Sequence, residues 1–284
     1  MNTSIRSLLG IHIHQLSDIY APEEAKEIAY RLVEYVLGCN RSKLLLELDD
    51  CASSAFRKEV ASYIQRLLCS EPLQYVIGQV EFYGCLIKVT PDVLIPRPET
   101  EELVDIIVRD WSAKEIRVAD FGTGSGCIPV ALAKNLALSM VTSVDVSEKA
   151  LQVARENAQQ NGVDVNFLLD DMRSFKSEDL FDVIVSNPPY VMEVEKALMR
   201  DNVLNYEPHL ALFVKDSDPL EFYKAIARIT SAQLKVGGKV YLEINQQLGL
   251  ETANLFADLG MKTEVRKDLF GVDRFVLAEW GGQK

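Results

Sequence analysis

Apolar residues recur with two different periods along the chain, and the change from one to the other divides it. From Pro22 to about Leu68 the spacing is helical: Ala25, Ile28, Ala29, Leu32, Val33 and Val36 share one face of the segment PEEAKEIAYRLVEYVLG, as an amphipathic helix requires. Pro22 near the start and Gly38 just past the end punctuate that helix. A second run of the same kind, Ser54 to Leu68, predicts another helix. Residues 1–72 therefore read as a small helical domain, suited to recognition or support, with no visible catalytic constellation.

Between residues 73 and 96 the texture changes to short β-branched and aromatic stretches, QVEFYG, CLIKVT and VLIP, separated by Gly84 and Pro91. This predicts a β-hairpin connector. Beyond it, residues 97–284 alternate. ETEELVDIIVRDW reads as an amphipathic helix, followed by the strand IRVADF, a helix from Cys127, the strand VTSVDV, a helix from Ser147 to Gln160, and the strands VNFLL and FDVIVS. That alternation is the signature of an α/β doubly wound, Rossmann-like sheet. A helix from Pro219 to about Leu234, the strand KVYLEI after Gly237-Gly238, and a helix from Gln246 to about Leu259 continue it. MKTEVRKD and RFVLAEW are predicted to close a seven-stranded sheet as an antiparallel edge hairpin.

Composition narrows the class without naming it. With 284 residues, 48% hydrophobic and 25% charged, the chain is sized for one large domain and a smaller one and is neither disordered nor fibrous. The five cysteines, Cys39, Cys51, Cys69, Cys85 and Cys127, form no C-x-x-C pair and suggest neither a disulfide framework nor a zinc site. His12, His14 and His209 show no ligand spacing, and no metal is expected. The N-terminal residues lack the apolar core of a leader, and no transmembrane run is present, so the expected location is cytoplasmic with no membrane partner. Net charge is −12, with about −2 in the first 90 residues and −10 in the rest. A protein gripping a duplex or a long RNA normally clusters Lys and Arg against phosphates, so no direct nucleic-acid partner is expected.

Two loops carry the candidate chemistry. In IRVADFGTGSGCIPVALA, Gly122, Gly124 and Gly126 join a buried strand to a helix, at the sheet end where ligands of such folds bind. Their G-x-G-x-G spacing differs from the G-x-G-x-x-G of dinucleotide sites and favours a nucleoside carrying an amino-acid tail. Asp145 ends the next strand 19 positions after Gly126, where a carboxylate can accept both ribose hydroxyls. Taken alone it could equally cap the following helix. Asp171 and Met172, at the end of the third strand, should lie beside a purine, the acid accepting from its amino group and the thioether covering a face. The alternative for Met172 is a place in the core.

The second loop is Asn187-Pro188-Pro189-Tyr190, directly after FDVIVS. Two prolines lack N–H donors and fix φ, so the backbone there projects carbonyl acceptors in a rigid arc. The Asn187 side-chain oxygen and the Pro188 carbonyl would together hold an NH₂ group, with the Tyr190 ring packed on a flat target. Accepting both protons returns electron density to a delocalised nitrogen and stabilises the charge that develops as it attacks a methylsulfonium carbon. No general base or metal is required beforehand. Without its position after the glycine loop, the tetrapeptide could be a plain turn.

With these motifs in place, the chain resembles the HemK/PrmC family of protein-(glutamine-N5) methyltransferases. The likeness extends over LQYVIGQVEFYG, LIPRPETEELVD, YEPHLAL at Tyr206–Leu212 and DLFGVDR at Asp268–Arg274. It implies a class I S-adenosyl-L-methionine-dependent methyltransferase domain with an N-terminal helical domain, and S-adenosyl-L-homocysteine as the product. It implies cofactor contacts at Gly122, Thr123, Gly124, Ser125, Gly126, Asp145, Asp171, Met172 and Asn187, and substrate contacts at Asn187, Pro188, Pro189 and Tyr190. Of these, Asn187, Pro188 and Tyr190 form the expected catalytic set. The partner implied is a class I peptide chain release factor bearing a Gly-Gly-Gln motif. Members often carry an aromatic residue at the position of Met172. Arg97, Glu99 and Glu101 match the family pattern too, but equally suit a salt-bridged helix start.

Three other readings stand beside this one. A glutamine methyltransferase of a ribosomal protein would share the chemistry, and an N6-adenine methyltransferase on DNA or RNA would use the same tetrapeptide but need a basic surface. A binding module that has lost catalysis is disfavoured by the intact Asn187 and Asp145.

Overall fold

The computed structural model describes residues 3–282. They cluster into two compact units: residues 3–78 with Arg200–Tyr206, and Gln79–Met199 with residues 207–282.

The first unit is helical. It contains α1 (Ile5–Leu16), α2 (Pro22–Leu37), α3 (Arg41–Leu46), α4 (Ser54–Leu68) and α5 (Leu73–Ile77). Predicted helix α2 ends as expected on Gly38, in the left-handed region at φ 61°, and α4 spans the predicted range. The structure adds α1, whose buried Ile5, Leu8, Leu9 and Leu16 also follow the helical period. It also turns Leu73–Ile77 into a short helix where strand texture was expected. Leu16, Leu32, Leu44, Val60 and Leu67 are wholly buried and form the core of this unit.

The second unit starts with a hairpin, β1 (Gln79–Phe82) and β2 (Cys85–Lys88), paired antiparallel. Its two-residue turn puts both Tyr83 and Gly84 at positive φ, 45° and 73°, the type I′ geometry that matches strand twist. Val93–Pro96 forms no strand, contrary to the expectation from VLIP; the Ile95 amide donates instead to the Glu207 carboxylate at 3.1 Å.

The remaining elements are α6 (Pro98–Trp111), β3 (Ile116–Phe121), α7 (Cys127–Asn135), β4 (Ser139–Asp145), α8 (Glu148–Asn161), β5 (Asn166–Leu169), β6 (Phe181–Ser186), β7 (Val191–Met192), α9 (Asp201–Tyr206, in the first unit), β8 (Phe213–Val214), α10 (Glu221–Gln233), β9 (Leu234–Glu243), α11 (Gly249–Ala257), β10 (Lys262–Lys267) and β11 (Asp273–Glu279). Seven of the strands form one sheet in the order β10-β11-β9-β6-β3-β4-β5. It is parallel from β5 to β9, and β11 and β10 close it antiparallel, so the α/β seven-stranded fold read from the alternation is the observed one.

Strand residues alternate between two covered faces. Phe121, Ile184, Val240, Leu242 and Val276 pack under α10 and α11 with Tyr223, Ile226 and Phe256. Asp120, Tyr241 and Glu243 point the other way, where the Trp111 indole of α6 donates to the Tyr241 hydroxyl at 2.8 Å. Helix α6 starts with Pro98 at its first turn beside Glu99 and Glu101, and buries Leu103, Val104 and Ile107, the arrangement expected of an amphipathic helix with an N-terminal proline. Neighbours β4 and β6 leave β3 in opposite directions. This makes the carboxyl end of β3 the crevice where open α/β sheets bind ligands.

Candidate functional site

The glycine loop leaves β3 at that crevice. The Gly122 amide donates to the Val144 carbonyl at 2.8 Å, which fastens the loop to the end of β4. Gly122 sits at φ +79°, where a β-carbon would lie 3.4 Å from Met172 Cε and 3.9 Å from the Asn187 carbonyl oxygen; the missing side chain is the floor of a cradle between those two residues. Gly126 answers to a different need. A β-carbon there would meet Ala154 Cβ at 2.8 Å, so this glycine lets α7 pack onto α8 and lies outside the pocket wall. Asn157 of α8 ties the region together, its amide donating to the carbonyls of Ser125 and Lys88 at 2.8 and 2.9 Å.

Asp145 is held by backbone amides: Gly124 donates to Oδ2 and Ser147 to Oδ1, each at 2.9 Å. Burial raises its carboxyl pKa and those amides oppose the shift. One lone pair remains on each oxygen for further donors. Asp120, on the adjacent strand, is wholly buried, and burial pushes its carboxyl up to about 7. Ser143 Oγ lies 2.6 Å from Asp120 Oδ2 and 2.5 Å from Thr123 Oγ1. Both the Ser143 and the Thr123 hydroxyl bond to the acid and oppose part of that rise. Asp120 Oδ1 and Ser125 Oγ are buried with no partner. Orphaned polar atoms of this kind at a ligand loop call for an occupant that can hydrogen-bond.

Thr123, Gly124, Ser125, Asp145, Asp171, Met172, Asn187 and Pro189 line one cavity together with Gly122. Pro188 and Tyr190 lie outside its wall. Met172 is buried in the same core cluster as Phe121, Val144 and Phe175 and also borders the cavity. Asp171 is engaged more heavily than expected. Arg173 donates to both its oxygens, with Nη2 at 2.7 Å from Oδ2 and Nε at 3.0 Å from Oδ1, and this pairing lowers the Asp171 pKa. Phe222, which the sequence did not point to, borders the same part of the cavity.

The tetrapeptide is anchored at both ends by one carboxylate. Tyr190 Oη donates to Glu243 Oε1 at 3.0 Å, and Thr100 Oγ1 donates to Glu243 Oε2 at 2.7 Å. Asn187 Nδ2 then donates to Thr100 Oγ1 at 3.1 Å. Glu243 and Thr100 are 1% and 2% exposed, so these bonds are made away from water. Burial raises the Glu243 pKa against the two hydroxyls and Arg274, and burial with the Glu243 charge holds the Tyr190 phenol well above its ordinary range. The Tyr190 ring packs on the core under α10 rather than standing in the cavity.

Thr100, Glu207 and Glu243 were not singled out in the sequence. Glu207, whose side chain is 1% exposed, receives Arg97 Nη2 at 2.6 Å. Of the three family-pattern residues at the start of α6, Arg97 borders the cavity, while Glu101 accepts the Tyr83 amide of the hairpin turn at 2.7 Å. Among the described residues no group of three or more His, Cys, Asp or Glu is placed to hold a metal ion, and no helix is long and apolar enough to cross a membrane.

Comparison with known proteins gives two family matches, "Methyltransferase small domain" over residues 100–206 and "PrmC N-terminal domain" over residues 11–78. A protein of Bacteroides thetaiotaomicron named release factor glutamine methyltransferase is 43% identical over 269 residues, covering 93% of this chain and 95% of that one. A protein of Flavobacterium psychrophilum with the same name is 40% identical over 272 residues, with the same coverage. Among solved structures, a methyltransferase from Pyrococcus furiosus superposes with a TM-score of 0.53 at 20% identity, covering 81% of this chain and all of that one; that likeness bears on the fold.

Proposed function

The chain belongs to the release factor glutamine methyltransferase family, and from that premise we propose how its residues carry out the reaction: methyl transfer from S-adenosyl-L-methionine to the side-chain amide nitrogen (N5) of the glutamine in the Gly-Gly-Gln motif of a class I release factor.

The observation that carries this reading is the direction of the bonds around Asn187. Thr100 has one proton, and it goes to Glu243, so Thr100 can only accept from Asn187, and the donor must be Nδ2. Oδ1 is thereby left on the cavity side as an acceptor for an incoming NH₂ group. Together with the Pro188 carbonyl it would take both protons of the glutamine amide and stabilise the positive charge developing on nitrogen. The rigid Pro188-Pro189 backbone holds these acceptors in place before substrate arrives, an effect of orientation worth up to about 7–11 kcal/mol in favourable cases.

The residues present suit the methyl donor. Asp145 would accept the ribose hydroxyls with its remaining lone pairs, Met172 and Phe222 would border the adenine, and the orphaned Ser125 hydroxyl would meet the polar amino-acid tail. S-adenosyl-L-methionine supplies an electrophilic methyl group when bound. Asp171 is a weaker candidate for the adenine amino group, because Arg173 already occupies both its oxygens.

The test is incubation with labelled S-adenosyl-L-methionine and purified release factor, followed by mass spectrometry of the modified peptide. Label on the Gly-Gly-Gln glutamine is expected; label found only on a ribosomal protein or on oligonucleotides would overturn the reading.

A further inference from the structure

Glu243 closes strand β9, 56 positions after Asn187, and lies outside the cavity wall. Its two oxygens nevertheless govern both ends of Asn187-Pro188-Pro189-Tyr190, one through Thr100 and one directly. In its ionised form Glu243 has no proton to give, so every group around it must donate. That imposes a direction: Thr100 gives its proton inward to Glu243, accepts from Asn187 Nδ2, and Asn187 cannot turn its amide over without placing two acceptors against each other. The network is fully partnered at these atoms, a condition under which buried polar groups fix one arrangement.

We propose that Glu243 is a positioning residue for methyl transfer, which acts through Thr100 to hold the Asn187 amide with Oδ1 toward the target nitrogen. The inference rests on the proposed role of Asn187 and adds what orients it. Chemically it matters because the opposite amide orientation would present an N–H to the glutamine NH₂ group, donor against donor, and withdraw the acceptor that the developing charge needs. Glutamine at position 243 matches the shape of Glu243 but carries two N–H donors in place of one acceptor. Thr100 can then receive a bond from position 243 and give its own proton to Asn187 Oδ1, which reverses the chain.

Two measurements on full-length protein separate this role from simple support of the fold. In the first, the side-chain amide of Asn187 is followed by ¹⁵N NMR, assigned by its absence in Asn187→Asp. In wild type its protons are expected to be protected from exchange, and in Glu243→Gln that protection is lost while the thermal midpoint stays close to wild type. In the second, steady-state methylation of release factor is expected to show kcat down by about 10- to 100-fold in Glu243→Gln, less than the roughly 100- to 1,000-fold cost of losing a charge-stabilising contact outright. KM for release factor and affinity for S-adenosyl-L-methionine should stay within about twofold. Thr100→Val should reproduce the kcat loss, and Thr100→Ser, which keeps the hydroxyl, should restore most of the rate.

An unprotected Asn187 amide in wild type would overturn the proposal, as would a Glu243→Gln enzyme with wild-type kcat. A parallel loss of kcat, cofactor affinity and thermal midpoint would assign Glu243 to the fold instead. The NMR measurement needs no substrate, so a failure of the glutamine reading itself would show separately, as wild-type protein that leaves release factor unlabelled.

Discussion

Arg97 and Glu207 stand 110 residues apart in the chain and meet in a 2.6 Å ion pair beside the cavity. Glu207 also accepts the Ile95 amide, so one carboxylate fixes the strandless segment that leads into α6. Glu207→Ala would leave Arg97 and that amide without their partner. Removing one member of a buried pair costs about 3–5 kcal/mol, and because Arg97 is 32% exposed we expect a smaller loss, on the order of 2 kcal/mol. Urea unfolding of the two proteins checks this; equal stability would show that the pair does not hold the segment.

Gly126→Ala should be more damaging than Gly122→Ala to folding, and less selective for cofactor. At position 126 the added carbon would overlap Ala154 Cβ at 2.8 Å on a backbone already at φ +79°, a combination of overpacking and strain costing about 2–4 kcal/mol. At position 122 the nearest atom is the flexible Met172 Cε at 3.4 Å, and the methyl group would narrow the cradle. Thermal midpoints and S-adenosyl-L-methionine titrations should therefore rank the two variants in opposite order, and the same order in both assays would contradict the division of labour between these glycines.

Asn187→Ala removes the side-chain acceptor and keeps the proline arc. Methylation of release factor should fall by about 100- to 1,000-fold, as for loss of a preorganised group at a developing charge, with the protein still folded. Near-normal turnover would remove Asn187 from the chemistry.

Asp120 makes stability depend on pH. Its folded-state carboxyl titrates at about 7 against an ordinary 3.8, raised by burial and only partly offset by the Ser143 and Thr123 hydroxyls. The folded state therefore holds this proton more tightly than the unfolded chain does. Its contribution to stability is complete below about pH 4 and is lost as pH rises through about 7. Asp120→Asn cannot titrate, so across that window cofactor-free wild type should lose stability relative to the variant by an amount on the order of 4 kcal/mol at most. Denaturation curves that run parallel at every pH would show that Asp120 is not the group responsible.

The sequence disclosed the sheet because each strand carries its own local signal: IRVADF and FDVIVS are short stretches rich in β-branched and aromatic residues bounded by turns, and the observed strands β3 and β6 coincide with them. Gly122, Asp145 and Asn187 could be found for a similar reason, since each sits at the end of such a strand. Glu243 also ends a strand, yet an acid in that place ordinarily reads as solvated. Only the folded chain brings Thr100 from 143 positions away to receive it. Thr100, in turn, looks like any polar residue in the first turn of a helix. VLIP misled because four apolar residues suggest a strand whether or not a neighbouring strand offers them a ladder, and here Glu207 takes the hydrogen bond instead.

Strand β6, which delivers Asn187, lies between β3 and β9. Its partner on the β9 side is completed only at residue 243 of 284. A chain emerging from the ribosome thus passes through a stage in which β5, β4, β3 and β6 can already pair while β6 ends the sheet as an open edge, exposing unpaired backbone groups that invite association with other chains. Truncation before Glu243 should accordingly yield an insoluble species rather than a sluggish enzyme, and separately expressed fragments split after Met199 should regain solubility when they are made together.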